Sequence, residues 1–145
     1  MKKIMMMFAL VVGMMATVAC SKWVEGSDNG KLDGNWQLVA VDTIGGNTKD
    51  MQAERRFLAV QGSILQLNDA NSGATYIFRF DYSDGKLVLS DARTNDRENG
   101  DPVLSDASPL APFGINALTE TFDIALDGSR MTLTGDHLAL HFRRF

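Results

Sequence analysis

Apolar and polar residues alternate with a period of two along most of the chain after residue 32. This alternation places successive side chains on opposite faces of an extended chain and predicts β-strand. No stretch with helical periodicity is longer than about ten residues, so the domain is predicted to be mostly β. The clearest strand is 74–82, where four aromatic residues share one face: Tyr76, Phe78, Phe80 and Tyr82.

Further strands are predicted from the same alternation at 35–43, 57–67, 86–91, 121–126, 130–134 and 137–145. Gly62 and Ser63 interrupt the second of these, which predicts either one bent strand or two short ones. Asp-Gly pairs at 84–85 and 127–128 predict tight hairpins, because both residues tolerate positive φ. In 35–43 the alternation groups Trp36, Leu38 and Ala40 on one face and places Val41 on the other.

Two segments lack this alternation. Residues 45–56 are predicted to form a short helix capped by Asn47 or Thr48. Residues 91–117 contain all three prolines and begin with a polar loop, but 103–115 carries several large apolar residues. This second half is predicted to pack on the domain as a lid or short helix. Seven or eight antiparallel strands fit a sandwich or a closed barrel, and the sequential hairpins favour an up-and-down barrel, whose closure removes exposed edges.

The first 19 residues have the pattern of a secretory signal peptide. Lys2 and Lys3 precede an apolar stretch at 4–16 that is short for a membrane span, and small residues follow it at 17–19. Cys20, the one cysteine of the chain, comes next. The arrangement resembles the lipobox of bacterial lipoproteins, although Thr17 stands where Leu is usual.

The lipobox resemblance implies that Cys20 carries a diacylglyceryl group and anchors the protein to a membrane without spanning it. Residues 20–31 would then be the lipidated Cys and a flexible tether, and residues 32–145 the folded domain. Ser21 stands where enterobacterial lipoproteins retained at the inner membrane have Asp, so we expect a cell-envelope protein at the outer rather than the inner membrane.

The composition and charge of the chain limit the classes of partner that we expect it to bind. The 145 residues fit one domain, and a single cysteine excludes an internal disulfide. The net charge is −4, and removing the two lysines of 1–19 leaves 12 basic and 18 acidic residues, a net charge of −6. We therefore predict no nucleic-acid partner, and the net charge disfavours anionic partners in general.

Gly34, Asn35 and Trp36 resemble the Gly-x-Trp motif of lipocalins, and 138–145 resembles their closing strand with its basic end. Residues 32–145 are similar to small lipocalin-like lipoproteins of unknown function from anaerobic Gram-negative gut bacteria. The resemblance implies an all-β, up-and-down barrel of about eight strands with one or two inserts. It also implies that Trp36 plugs one barrel end with Arg143 or Arg144 packed across it. The family has no established activity to transfer.

Candidate chemistry is sparse. His137 and His141 would stand roughly 13 Å apart on a strand, too far to share an ion, so no metal or other cofactor is predicted. The carboxylates of the long loop, Asp91, Asp96, Glu98 and Asp101, match no EF-hand. Nucleophile and phosphate-loop motifs do not occur, and the predicted inward faces carry almost no ionisable group besides the hydroxyls of the two tyrosines. We therefore do not expect an enzyme.

The preferred hypothesis is a barrel that binds a small apolar ligand, and the alternative is a filled barrel that contacts another envelope protein through its inserts. An enclosed cavity would favour the first, and an exposed apolar patch on 103–115 the second. The candidate lining residues are the inward-facing apolar residues Tyr76, Phe78, Phe80, Leu87, Leu89, Phe122, Ile124, Leu138 and Leu140.

Overall fold

The computed structural model describes residues 29–145, so the predicted signal peptide and Cys20 lie outside the described residues. Nine strands are present in the described part of the chain: β1 (Gly34–Thr43), β2 (Thr48–Asp50), β3 (Arg56–Gln61), β4 (Ile64–Asp69), β5 (Thr75–Ser83), β6 (Lys86–Thr94), β7 (Glu120–Asp127), β8 (Arg130–Thr134) and β9 (Leu138–Arg144). Short 3-10 helices at Gly30–Leu32, Gln52–Glu54, Arg97–Asn99 and Ser108–Phe113 complete the elements of this region.

All the strand pairs are antiparallel, and strands β3 to β9 follow one another in sequence order. Strand β1 pairs with both β3 and β9, which closes an eight-stranded barrel, and β2 is an additional strand beside β1. The predicted all-β, up-and-down barrel is confirmed. The Asp-Gly hairpin between β5 and β6 has the expected positive φ at both turn residues, 53° at Asp84 and 71° at Gly85.

A bulge in β1 changes which residues face inward. The register against β9 shifts between Leu38 and Ala40, so that Ala40 lies opposite His141 and Val41 lies opposite the fully buried Leu140. The extra residue reverses the alternation beyond it. The predicted grouping of Ala40 with Trp36 is therefore wrong, and Val41 takes the inner face.

The predicted helix over 45–56 is wrong. Residues 48–50 form β2 instead, followed by the 3-10 helix Gln52–Glu54. The reason is tertiary: β3 pairs only with Gly34–Gln37, and β2 fills the place beside Ala40–Asp42 that β3 leaves unpaired. The 57–67 segment is two strands, β3 and β4, joined by a turn at Gly62 and Ser63.

The barrel encloses one hydrophobic core. Among the described residues, 20 buried apolar side chains form a continuous cluster from Leu32 and Trp36 at one end to Leu110, Phe113 and Ile115 at the other. We call the first end the closed end. The second is the mouth, and residues 103–115, which cover it, are the lid.

Candidate functional site

The closed end is built around Trp36. Its ring is fully buried, and its Nε1 donates a hydrogen bond of 2.9 Å to the carbonyl of Leu32. The guanidinium of Arg144 lies over the ring with its carbon 4.2 Å from the ring centroid, and Nη1 donates to the carbonyl of Asp33 at 2.8 Å. Gly34 permits this approach, because a Cβ there would lie 2.8 Å from Arg144 Nη1.

Arg143, the second arginine that the lipocalin resemblance suggested for the place across Trp36, lies on another side of the strand. Arg143 is on the opposite side of β9 from Arg144, and its Nη2 donates to Oε1 of Gln37 at 2.9 Å. Adjacent residues of a strand face opposite ways, so only one of the two can reach the ring of Trp36.

Residues 103–115 are predicted from sequence to form a lid or short helix. In the structure they contain the 3-10 helix Ser108–Phe113, which is followed by Gly114 in the left-handed conformation. The lid residues Leu110, Phe113 and Ile115 are buried against the barrel core. The ring of Phe113 contacts Tyr76 edge to face, with centroids 6.2 Å apart. The lid therefore contributes side chains to the core as well as covering the mouth.

At Gly114 the backbone of the lid comes close to the barrel. Its φ is +83°, and a Cβ at this position would lie 2.3 Å from Cδ2 of Leu140 on β9. On the other side of the lid, residues 102–104 add to the edge of β6 through hydrogen bonds from Thr94 N to Pro102 O and from Leu104 N to Ala92 O, both 3.0 Å. They lie where the ladder between β6 and β7, which pairs only Lys86–Leu89, has ended.

The nine candidate lining residues all belong to this core or pack on it. Five are buried in its interior: Phe78, Leu87, Leu89, Phe122 and Leu140. Four are partly buried and pack against it: Tyr76, Phe80, Ile124 and Leu138. Leu138 and Phe122 also reach the wall of open pockets at the mouth.

Charged side chains occur on the inner face at the rim of the mouth. Arg56 and Asp69 are ladder partners at the ends of β3 and β4, and Arg56 Nε lies 3.3 Å from Asp69 Oδ2. The Arg56 guanidinium also lies 6.0 Å from the ring centroid of Phe113 in the lid. Burial pushes the pKa of Asp69 upward, but the N–H groups of Ser72 and Asn71, together with Arg56, outweigh it and leave that pKa below its ordinary value.

Glu120, at the start of β7, has a pKa that is shifted in the opposite direction from that of Asp69. Its Oε2 accepts a hydrogen bond of 3.0 Å from the backbone N–H of Asn116, just after the lid. Burial nevertheless raises the pKa of its carboxyl, because it outweighs the lowering by the N–H groups of Asn116 and Ala117, and Asp136 adds repulsion. Arg56, Asp69 and Glu120 show that the expectation of an inner face almost without ionisable groups is wrong at the rim.

Two open pockets flank the contact of Gly114 with the barrel. One, of about 390 Å³, lies between the lid and β2, and we call it the arm pocket; it is lined by Val41, Thr43, Asn47, Lys49, Met51, Glu54, Arg56, Ala111, Pro112, Gly114 and Leu138. The other, of about 400 Å³, lies between residues 114–122 and 135–138 and is more polar. Sequence reasoning missed Lys49 and Arg56. The pairing of Lys49 with Val41 exists only in the assembled sheet, and Arg56 stands at the start of a strand, where alternation does not show which way a side chain points.

The two histidines, His137 and His141, lie in different surroundings and have different partners. His141 lies on the outside of β9, where its Nε2 is 2.7 Å from Asp42 Oδ2 and its Nδ1 is 3.4 Å from Thr132 Oγ1. The hydroxyl of Thr48 and the His141 ring lower the pKa of Asp42. His137 precedes β9, and its carbonyl accepts the N–H of Ile44 at 2.9 Å. Within residues 29–145, no three histidine, cysteine or carboxylate side chains lie close enough together to hold a metal ion.

Two acidic residues of the long loop, Asp96 and Asp91, have local structural roles. Asp96 caps the 3-10 helix Arg97–Asn99 by accepting the N–H of Asn99. Asp91 lies between two arginines, 3.1 Å from Nε of Arg93 and 3.7 Å from Nε of Arg79.

In the part of the chain that the structure describes, no helix has the length and apolar character needed to cross a membrane.

The described chain is thus a closed antiparallel barrel, with Trp36 and Arg144 packed together at one end and a lid over the mouth. A family model for a lipocalin-like domain matches residues 14–145, and the chain therefore belongs to the lipocalin-like domain family. A search of curated proteins finds no match.

Two solved structures resemble the chain. One is a lipocalin-like protein from Bacteroides uniformis, with 18% identity and a TM-score of 0.61 over 80% of this chain and 100% of that one. The other is an uncharacterized protein from Bacteroides eggerthii, with 17% identity and a TM-score of 0.58 over 79% of this chain and 100% of that one. At these identities the likeness shows the shared fold.

Proposed function

We propose that this protein is a lipid-anchored lipoprotein of the cell envelope, without catalytic activity, whose barrel binds a small hydrophobic ligand at its mouth. The observation that carries the proposal is the arm pocket. Its volume of about 390 Å³ lies at the lower end of the roughly 300–1,000 Å³ of small-molecule sites, and its lining includes the apolar side chains of Val41, Met51 and Leu138. The membership in a lipocalin-like family supports a ligand-binding role.

The anchor in this proposal is Cys20, and the membrane is the outer membrane, as the serine at position 21 favours. The described chain enters the barrel at the closed end, where Asn29 Nδ2 donates to the carbonyl of Gly62 at 2.8 Å. An anchor attached there keeps the closed end near the bilayer and directs the mouth toward the aqueous side. Replacing Cys20 by Ser should abolish acylation, measured by intact mass, and move the protein from the membrane fraction to the soluble one.

Native mass spectrometry tests the binding proposal. The mature protein, purified from a bacterial host, should carry an additional small apolar mass. Ala111→Phe, which fills the arm pocket from the lid, should lose that mass, while Ala125→Phe on the exposed side of β7 should keep it. A bare mass in the wild type, or equal loss from both variants, would contradict the proposal.

The second candidate is an accessory lipoprotein without a ligand. The observation in its favour is that the lid already fills the mouth with Leu110, Phe113 and Ile115, while Val103 and Ile44 at the same end are 62% and 54% exposed. On this hypothesis the wild type has a bare mass, and photo-crosslinking from position 103 captures one defined envelope protein.

A further inference from the structure

Within the described residues, the outer wall of strands β3 and β4 carries no charged side chain. Successive residues of these strands alternate between the core and the outer surface, and the buried set is Leu58, Val60, Leu65 and Leu67. The outward-facing set is Phe57, Ala59, Gln61, Ile64, Gln66 and Asn68. We call this surface the uncharged wall. Strand β7, on the opposite side of the barrel, instead carries Asp123 and Asp127 on its outer face.

Phe145 extends the uncharged wall across β1. Its backbone N–H donates to the carbonyl of Asn35 at 2.9 Å, and Asn35 is the ladder partner of Ala59 on β3. The ring of Phe145 contacts that of Phe57, with centroids 4.9 Å apart, but Phe145 is still 76% exposed. Ile64, at the end of the wall nearest the closed end, is 46% exposed. Both side chains therefore present apolar surface to whatever lies against the wall.

Two arginines border this wall. Arg143 lies in the same cross-strand row as Phe57, because both are ladder partners of Gln37. Arg55 lines an open groove of about 370 Å³ together with Phe57 and Phe145. Neither arginine takes part in the ion pairs found among residues 29–145. An apolar surface bordered by guanidinium groups complements the headgroup region of a bilayer, where apolar side chains reach the acyl boundary and cations meet phosphates.

The chain enters the barrel beside the uncharged wall. Asn29, the first described residue, donates from Nδ2 to Asp33 Oδ1 at 2.9 Å and to the carbonyl of Gly62 at 2.8 Å. Gly62 is in the turn between β3 and β4, the two strands of the wall. Cys20 precedes Asn29 by nine residues, which span at most ~30 Å when fully extended. An acylated Cys20 therefore keeps the wall within reach of the bilayer, and a surface tethered in this way needs little affinity of its own to stay bound.

We propose that the uncharged wall is a membrane-contacting surface that lies on the headgroups of the bilayer in which Cys20 is anchored. Phe145 and Ile64 reach the boundary between headgroups and acyl chains, and Arg55 and Arg143 bind lipid phosphates. This inference rests on the proposed anchor and adds the face of the barrel that meets the membrane. The acidic outer face of β7 does not oppose the contact, because it lies across the barrel, beyond the ~8 Å screening length of physiological salt. The barrel leans on this wall, while its mouth stays on the aqueous side.

Vesicle binding of the unacylated mature chain from Ser21 tests the proposal. This chain is suitable because the described residues close a complete barrel with its own core. Co-sedimentation is measured with vesicles of phosphatidylcholine alone and of an equal mixture of phosphatidylcholine and phosphatidylglycerol. Binding to the mixed vesicles should be about tenfold tighter, and it should weaken as the NaCl concentration rises.

Substitutions at exposed positions locate the contact. Phe145→Ser and Ile64→Ser should each weaken binding to the mixed vesicles about three- to tenfold, because binding scales with the apolar area that enters the interface. Arg143→Gln should weaken it about fivefold and leave binding to phosphatidylcholine unchanged. Val103→Ser is the matched control: Val103 is 62% exposed but lies at the mouth, so binding should not change.

A fluorescent label reports which face meets the membrane. The chain from Ser21 contains no cysteine, so one can be introduced by Gln66→Cys on the uncharged wall or by Ala125→Cys on the outer face of β7. An environment-sensitive dye at position 66 should shift its emission to the blue when mixed vesicles are added. The same dye at position 125 should not respond.

Three outcomes would overturn the proposal. They are no binding to either kind of vesicle, equal weakening by Val103→Ser and Phe145→Ser, and equal dye responses at positions 66 and 125. Photo-crosslinking from position 66 to one defined envelope protein, without vesicle binding, would make the wall a protein interface and would also overturn it. Because these experiments use the unacylated chain, the anchor at Cys20 is judged separately, by the intact mass of the Cys20→Ser variant.

Discussion

At the closed end of the barrel, Trp36 and Arg144 belong to strands β1 and β9 themselves, whereas at the mouth the covering side chains come from residues 103–115, which lie outside the eight barrel strands. Both ends bury aromatic rings beneath an arginine: Arg144 over Trp36, and Arg56 near Phe113. The chemistry of the two ends is alike, and the difference lies in how the covering residues are attached to the barrel.

This difference has energetic consequences. A plug carried by two paired strands is removed only when the ladder itself opens, so its loss is coupled to global unfolding. The lid is attached through Gly114 over Leu140, the hydrogen bond from Asn116 to Glu120, and the short ladder to β6. Segments with few ladder bonds open locally at a smaller free-energy cost. We therefore expect the closed end to determine stability and the mouth to open locally.

The largest expected effect is at the closed end. Trp36→Ala should lower the free energy of unfolding by ~3 kcal/mol or more, because it removes a fully buried ring and leaves a cavity between β1 and Arg144. Urea denaturation monitored by circular dichroism measures this change in the free energy of unfolding. A loss below ~1 kcal/mol would mean that Trp36 does not plug the barrel.

The next effect is at the lid. Gly114→Ala should cost ~2 kcal/mol or more, since the new methyl group combines positive-φ strain with a clash against Leu140. Gly100→Ala is the matched control: its φ is +75° with nothing within 4 Å of the new Cβ, so only the strain of ~1 kcal/mol is expected.

Hydrogen exchange sharpens the same comparison. In Gly114→Ala the backbone amides of 110, 111 and 113–115 should exchange faster, while those of β1 and β9 near Trp36 stay protected. Equal loss of protection at both ends would show that the lid and the closed end unfold as one unit, contrary to the difference in attachment described above.

A smaller effect separates the two terminal arginines. Arg144→Gln should cost ~1–2 kcal/mol, because it removes the cation–π contact with Trp36 and the hydrogen bond to Asp33. Arg143→Gln, on the outer face, should cost less than ~0.5 kcal/mol. Thermal and urea unfolding of the pair checks this, and equal losses would contradict a specific role of Arg144 at the closed end.

The smallest effect is a pH dependence at the mouth. Because the pKa of Glu120 is raised in the folded protein, its protonated form is favoured there, and the stability it contributes below its ordinary pKa of 4.5 is lost as the pH rises through the raised value. Glu120→Gln should therefore be slightly more stable than the wild type at pH 7, and the difference should disappear near pH 4. Urea midpoints at the two pH values test the sign, and a less stable variant at pH 7 would reverse it.

The fold was largely predictable because its signals are local. Period-two alternation marked β5, β7, β8 and β9 within a few residues of their observed limits, and the Asp-Gly pair at 84–85 marked the hairpin between β5 and β6. The segment 45–56 was not predictable in this way. Its strand, β2, exists because β3 leaves the second half of β1 unpaired, and that vacancy is a property of the assembled sheet.

The residues of the candidate site were likewise predictable where the signal is local and unpredictable where it depends on the assembled sheet. The inward apolar positions could be assigned from alternation, and the packing of 103–115 on the domain could be predicted from its large apolar residues. The charged rim could not, because Arg56, Asp69 and Glu120 stand at strand ends, where the pattern of a single strand does not show whether a side chain lies beside the core or in solvent. Lys49 was missed for another reason: its segment was taken for a helix.

By itself, therefore, the sequence determined the order of the eight barrel strands, most of the inward-facing residues and the motif around Trp36, since each depends on the nearest few positions along the chain. Tertiary structure alone decided that Arg144 rather than Arg143 covers the ring and that Val41 replaces Ala40 on the inner face. It also decided that Lys49 lines the arm pocket. These outcomes depend on a bulge and on ladder partners distant in sequence, and they are set only when the barrel closes.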